Sequence, residues 1–460
     1  MLKLLIKIKN RIKKLFDKIN NEQLKTNLLQ ALPFWVASIL TGLAAVFYAK
    51  FFEWTQNANS LIFSANKWLT LIITPVCFVL AWWIVRMYAP YARGSGIPQV
   101  MAAIDLSTTK DHNKLGRLLS LKNIIIKVLS SLILVFGGGA IGREGPTIQI
   151  AGSIFRQVNQ WLPSWWPKIS KKNMILTGAA GGLAAAFNTP LGGIVFAVEE
   201  LSKTHINQFK TAVFTSVIIA GMTAQALLGS YLYLGYPNVS GLSGYILLGV
   251  ATVAIVTGLL GALMSKIILL LFKWKSTFKF KYQYLLYVVV CALIIAGLAL
   301  FVDHGVMGSG KDMMETVLFS SDKHIDFTNP ILRIVGPILS FTTGAAGGIF
   351  APSLSAGASV GSLIAGFFKL SSSDTNILIL AGMVGFLTGV TRTPFTSAIL
   401  VLEMTDRHSV IFHLMLAGLL ASLAALAIDR RSFYDHLKEK YIDDVSKENG
   451  TNGKIEAPPA

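Results

Sequence analysis

The sequence predicts an all-α polytopic membrane protein made of two inverted-topology repeats of tilted and discontinuous helices. Three observations predict it: long apolar runs, glycine- and proline-rich breaks between them, and a segment of the second half that repeats one of the first. Of 460 residues, 53% are hydrophobic and 14% charged, against roughly 25% charged in soluble domains. This balance excludes an ordinary cytosolic enzyme.

About 18 consecutive apolar residues suffice to cross a hydrocarbon core of about 30 Å. Leu32 to Phe52, Leu69 to Met87, Ile124 to Ile141, Ala212 to Leu234, Tyr245 to Phe272 and Leu285 to Phe301 have about this length, and more such runs follow Pro330. Between them lie apolar segments broken by Gly and Pro and too short to span. A broken helix at membrane depth leaves backbone polar groups that must be buried in protein or line a cavity. Breaks of this kind point to a transport site.

The repeat is visible by inspection. LTGAAGGLAAAFNTPLGGIVFAVEE, Leu176 to Glu200, aligns without a gap on LAGMVGFLTGVTRTPFTSAILVLEM, Leu380 to Met404, with Gly178/Gly382, Thr189/Thr393, Pro190/Pro394 and Glu199/Glu403 identical. GREGPTIQIAGS, from Gly142, aligns on GIFAPSLSAGAS, from Gly348. Transporters built from such repeats bind substrate near the midplane, where broken helices meet. The expected division is a cytoplasmic amphipathic basic helix (1–30), a first membrane repeat (31–238), a second (239–437) and a short polar cytoplasmic tail (438–460).

The net charge of +18 comes from basic residues between the spans and at the start, the pattern of the positive-inside rule. Few aromatic residues accompany them, so no nucleic-acid partner is expected. The first twenty residues place Lys and Arg opposite Leu and Ile at helical spacing, as in a helix lying on the membrane lipids. They lack the uninterrupted apolar stretch of a cleavable signal. Cys77 and Cys291 sit alone in apolar runs and read as packing residues. No His, Cys or Ser constellation suggests a metal, a cofactor or an enzyme's nucleophile.

Four motifs carry chemistry. In GSGIP, Gly94 to Pro98, two glycines flank Ser95 ahead of a proline suited to a helix's first turn, and a helix N-terminus favours an anion. GREGP places Glu144 at membrane depth, where a carboxylate costs roughly 2.5 to 3.5 kcal/mol and is a functional candidate. A structural pair between Arg143 and Glu144 is the alternative. GGIFAP, the repeat partner of GREGP, has no charge and offers the main-chain donors of Ile349 and Phe350. Glu199 has a repeat counterpart in Glu403 whereas Glu200 faces Met404, so symmetry assigns structure to the first two and a task to Glu200. Gly308 to Lys311, GSGK, lacks the spacing of a phosphate loop and reads as a turn.

GSGIP, GREGP and GGIFAP in this order, with the EE pair between the last two, resemble the CLC family of chloride channels and proton-coupled chloride transporters. The resemblance covers about Pro33 to Leu437. It implies that the hydroxyls of Ser95 and Tyr434 and the amides of Ile349 and Phe350 hold chloride. It further implies that Glu144 is the gating glutamate, occupying the outer anion site when ionised and swinging away when protonated. Glu200 matches the internal proton acceptor of the exchangers, which favours chloride/proton antiport over the alternative, a passive chloride channel. Ser95 argues against the family's fluoride and nitrate exchangers, which carry Met or Pro there. Gln99 departs from the Glu that many bacterial relatives carry, which bears on the inner vestibule's charge or a water path. The family also implies a homodimer in a prokaryotic plasma (inner) membrane, with both termini cytoplasmic.

Overall fold

The computed structural model describes residues 16–17, 20–202, 210–229 and 232–447. Most of the basic segment 1–20 and the tail from residue 448 lie outside the described residues. The chain forms a run of helices α1 (Glu22–Ala65), α2 (Thr70–Tyr88), α3 (Ile97–Leu106), α4 (Leu121–Phe136), α5 (Glu144–Trp161), α6 (Lys171–Phe187), α7 (Pro190–Phe196) and α8 (Lys210–Leu228). A second run follows in the same order: α9 (Ile246–Lys275), α10 (Lys281–Phe301), α11 (Lys311–Phe319), α12 (Thr328–Thr342), α13 (Phe350–Phe367), α14 (Ser372–Thr391), α15 (Pro394–Thr405) and α16 (Ile411–Leu426). A last helix, α17 (Phe433–Lys447), has no counterpart among the described residues. Among the described residues, nine helices are long and apolar enough to cross a membrane.

Element boundaries differ from the sequence reading in four places. Residues 22–30 are the first turns of α1, not part of a separate basic helix, and 438–447 belong to α17, whose Tyr441 and Val445 are buried. The apolar run Ile124 to Ile141 is helical only to Phe136, because Gly137, Gly138 and Gly139 unwind it. The run Ala212 to Leu234 leaves its helix after Leu228. Hydropathy tracks burial in lipid or protein, and the unwound residues 137–141, like Tyr233 and Leu234, are buried in protein.

Local chemistry explains the repeated breaks. Helices α6 and α14 end on Asn188 and Arg392, both left-handed (φ 56° and 62°). Thr-Pro follows each, with Pro190 and Pro394 opening the next helix. Pro needs no N–H partner at a first helical position, and its fixed φ suits it. The two short helices then cap each other. The Glu199 carboxylate accepts from the amides of Phe395 (3.2 Å) and Thr396 (2.7 Å). Glu403 accepts from those of Leu191 (3.0 Å) and Gly192 (2.7 Å). Each glutamate satisfies orphan donors at the repeat-related helix start, which is the structural role symmetry assigned to this pair.

The two runs meet on a two-fold axis. Gly142 and Gly348, repeat-related residues, form an antiparallel bridge, with Gly142 N to Gly348 O at 2.7 Å and Gly348 N to Gly142 O at 2.8 Å. A residue exchanging both bonds with its own counterpart must lie on the axis relating the halves. Helix α5 packs on α6 as α13 packs on α14, and α1 lies on α6 as α9 lies on α14. Small residues allow the closest of these crossings: a Cβ on Gly357 would stand 2.1 Å from the Gly382 carbonyl oxygen, and one on Gly382 would stand 2.2 Å from that of Gly357. Membrane helices gain van der Waals contact this way where lipid offers no hydrophobic driving force.

Gly357→Val should force α13 from α14 and cost about 3 kcal/mol or more through overpacking against backbone. Gly297→Ala, at a position with nothing within 4 Å, should be neutral or slightly stabilising; thermal unfolding in detergent compares the two. Glu199→Ala should cost about 1.5 to 3 kcal/mol, the value of hydrogen bonds to a charged group. Combining it with Glu403→Ala should cost less than the sum if the caps share one interface, as a double-mutant cycle will measure.

Candidate functional site

Four helix N-termini converge beside the Gly142–Gly348 bridge, those of α3, α5, α13 and α17. Ser95 stands just before Gly96, the N-cap of α3, Glu144 is the first residue of α5, Ile349 caps α13 with Phe350 its first residue, and Tyr434 lies in the first turn of α17. All five residues are buried: Ser95 is 2% exposed, Glu144 1%, Ile349 0%, Phe350 1% and Tyr434 0%. The N-terminal N–H groups of such helices lack intrahelical acceptors and present partial positive charge.

Glycine makes the approach possible at two points. A Cβ on Gly145 would stand 2.1 Å from Ser95 Oγ, so α5 presses its first turn against that hydroxyl. A Cβ on Gly142 would stand 2.3 Å from Glu144 Oε2, so the carboxylate folds back over the axis residue. The Tyr434 hydroxyl faces Ser95, and its ring stacks on Phe350 (centroids 6.2 Å, planes 13° apart). Phe350 also contacts the rings of Phe187 and Phe196. Aromatic packing therefore fixes the Tyr434 hydroxyl with little rotational freedom.

Among the described residues, three polar atoms in this cluster make no hydrogen bond of standard geometry: Ser95 Oγ, Tyr434 Oη and Glu144 Oε2. Buried polar groups are rarely left so, and three of them gathered at one place leave room for a solute to complete them. Two hydroxyl donors at converging helix N-termini suit a small anion. A carboxylate at the same place suits either the anion's absence or its own protonation. Glu144 makes no ion pair among the described residues; its other oxygen accepts from the Tyr233 hydroxyl at 3.4 Å. The pairing with Arg143 that the sequence left open as an alternative is therefore not formed.

Glu200 is 4% exposed and lies in a π-helical turn, Ala197–Ser202, that continues α7. Such turns shift one residue out of register and are frequent at functional sites. The insertion turns Glu200 into the protein while Glu199 reaches α15.

Several residues escaped the sequence reading. Tyr233, donor to Glu144, lies in irregular chain beyond α8 and had no local signal. Lys127 is fully buried, and its Nζ donates to Gly94 O at 2.9 Å, holding the GSGIP turn. A lone Lys inside the apolar run from Ile124 was the signal that could have found it. Gln99 is fully buried, and its Nε2 donates to the carbonyls of Arg93 (2.7 Å) and Tyr91 (3.2 Å) and to the Tyr441 hydroxyl (3.1 Å). It is thus a tether between α3 and α17.

Residues 77–426 match the family model described as voltage gated chloride channel. Over 438 residues the chain is 28% identical to the H(+)/Cl(-) exchange transporter ClcA of Klebsiella pneumoniae (strain 342), covering 91% of this chain and 90% of that one. Its fold is similar to the crystal structure of a slow cyanobacterial Cl-/H+ antiporter (TM-score 0.77, 24% identity, 92% of this chain and 99% of that one). It is also similar to a CLC-type fluoride/proton antiporter (TM-score 0.74, 18% identity, 91% and 99%). The chain is a multi-pass membrane protein and belongs to the CLC family of chloride channels and transporters.

Proposed function

We propose that this chain is a secondary active transporter exchanging chloride for protons. The observation that carries the reading is the meeting of Ser95 Oγ, Tyr434 Oη and Glu144 Oε2, all buried and unpartnered, at converging helix N-termini. The similarity to a named exchange transporter supports it.

In this reading the Ser95 and Tyr434 hydroxyls and the amides of Ile349 and Phe350 hold chloride. Their dipoles replace hydration that the ion loses on entering. The Glu144 carboxylate competes for the outer anion site because two negative charges cannot share it in a medium of low dielectric. Protonation removes the repulsion and frees the side chain, so the gate and the proton carrier are one residue. Tyr233 steadies the carboxylate. Glu200, buried in its π-helical turn, exchanges the proton with the opposite face, and an acid there favours exchange over a passive channel.

The proposal extends to a homodimer in a prokaryotic inner membrane, with both termini cytoplasmic and two membrane repeats between them. The basic N-terminal residues support that orientation.

Paired chloride and proton fluxes from proteoliposomes test the mechanism. Glu144→Gln should keep chloride flux and lose proton movement by roughly a hundredfold or more, the contribution of a positioned proton carrier. Proton pumping by that variant against a chloride gradient would overturn the reading. A wild-type reversal potential that ignores a pH gradient would make the protein a passive chloride channel instead.

A further inference from the structure

The second repeat contains its own copy of the GSGIP turn. Gly94, Ser95 and Gly96, ahead of α3, correspond to Gly308, Ser309 and Gly310, ahead of α11. The flanking glycines adopt the same left-handed conformation, φ 61° and 103° in the first turn and 68° and 85° in the second. A buried cation holds each turn at the same atom. Lys127 Nζ donates to Gly94 O, and Arg333 Nη1 donates to Gly308 O at 3.3 Å. These cations are themselves repeat-related, 206 residues apart like Gly142 and Gly348. The neighbours behind the turns correspond too: a Cβ on Gly96 would meet Gln149, and one on Gly310 would meet Ser355.

The copy opens on a cavity of about 200 Å³, lined among others by Gln56, Asn59, His304, Gly308, Asp312 and Arg333. Among the described residues, Arg333, 5% exposed, has no partner for its Nε, and His304 has none for its buried Nε2. An orphan guanidinium N–H beside a helix N-terminus calls for an acceptor, and the imidazole joins it as a second donor in the tautomer protonated at Nε2. The one carboxylate of the lining, Asp312, is exposed and takes a hydrogen bond from Gln56 Nε2 at 3.2 Å. Lys311, the residue after the turn, sets its ammonium 5.2 Å from the Tyr233 ring, whose hydroxyl donates to Glu144.

We propose that this cavity is a second anion site, taking a halide between Arg333 Nε, His304 Nε2 and the first turn of α11. Because the repeats are inverted, it lies on the face opposite the Ser95 turn, where it would hold an anion on its way to or from Glu144. The inference rests on reading the Gly-Ser-Gly turn with its buried cation as an anion cradle. Asp312 makes this copy the weaker of the two, since its charge opposes the ligand.

Bromide-soaked crystals of the full chain, read by anomalous scattering, separate the two readings. Bromide at Arg333 together with bromide at Ser95 and Tyr434 supports both. Bromide at Ser95 and Tyr434 with water alone at Arg333 overturns this inference and leaves the transport reading standing. Bromide at Arg333 alone supports the inference and contradicts the chloride site. Arg333→Gln should weaken bromide at the cavity about tenfold or more, the loss of a hydrogen bond to a charged group. Should that variant fail to fold, Asp312→Asn at the exposed rim gives the second test. It should strengthen bromide at the cavity, and unchanged or weaker occupancy counts against the proposal.

Discussion

The structure depends on one backbone pairing, the antiparallel exchange of hydrogen bonds between Gly142 and Gly348. Each residue ends an unwound stretch and is followed within two residues by a helix that begins inside the protein core. Unpaired amides at such a depth cost free energy, and the bridge satisfies those nearest the axis. It also brings two helix N-termini, those of α5 and α13, to within contact of each other: a Cβ on Gly348 would stand 3.2 Å from the Gly145 amide nitrogen. Two positive dipole ends held face to face repel. Something negative between them relieves that repulsion, and Glu144 and a permeant anion are the two candidates for the place.

The fold was largely legible because its determinants are local. The Thr-Pro pairs, the glycines at helix crossings and the paired glutamates all act within a few residues of where they stand in sequence. A gapless repeat therefore translated directly into matching helix breaks, at Phe187 and Pro190 in one half and at Thr391 and Pro394 in the other. The turn at Gly308 was harder to read. Its counterpart at Gly94 lies 214 residues away, not the 204 or 206 of the other blocks, so an insertion hid the correspondence and GSGK looked like an isolated turn. The turn reading holds, and the geometry adds that the turn opens α11 under a buried arginine.

The site was legible only in part. Ser95, Glu144, Ile349 and Phe350 belong to compact motifs whose glycines advertise close approach. Tyr434 does not; it stands just past the last membrane helix, where an interfacial anchor would look the same. Tyr233, Lys127 and Arg333 carry no motif because they act through side chains that reach across the fold. Hydropathy also obscured the cations, since one Lys among many Leu and Ile residues hardly changes the average of a span. Its buried, acid-free setting gives it meaning, and that is a property of packing.

Symmetry and its violations then account for the specialisation of the pore. The repeats supply matching turns, matching cations and matching crossed helix caps, a scaffold with no preferred direction. Helix α17 breaks the equivalence because nothing in the first repeat corresponds to it. It is tied to one side alone, through Gln99 Nε2 to Tyr441, Arg93 to Asp444 at 3.1 Å and Lys114 Nζ to the Val445 carbonyl at 2.9 Å. Those tethers deliver the Tyr434 hydroxyl to Ser95 and close that cradle. An amide at position 99 suits the task and a carboxylate would not, because the group must donate to two carbonyl oxygens at once. On the opposite face the equivalent turn is covered by α1, whose Gln56 accepts from the Ser309 hydroxyl at 3.2 Å, and a cavity lies beside Arg333. The same backbone motif is thus paired with a tyrosine hydroxyl on one side and with a buried arginine beside a cavity on the other.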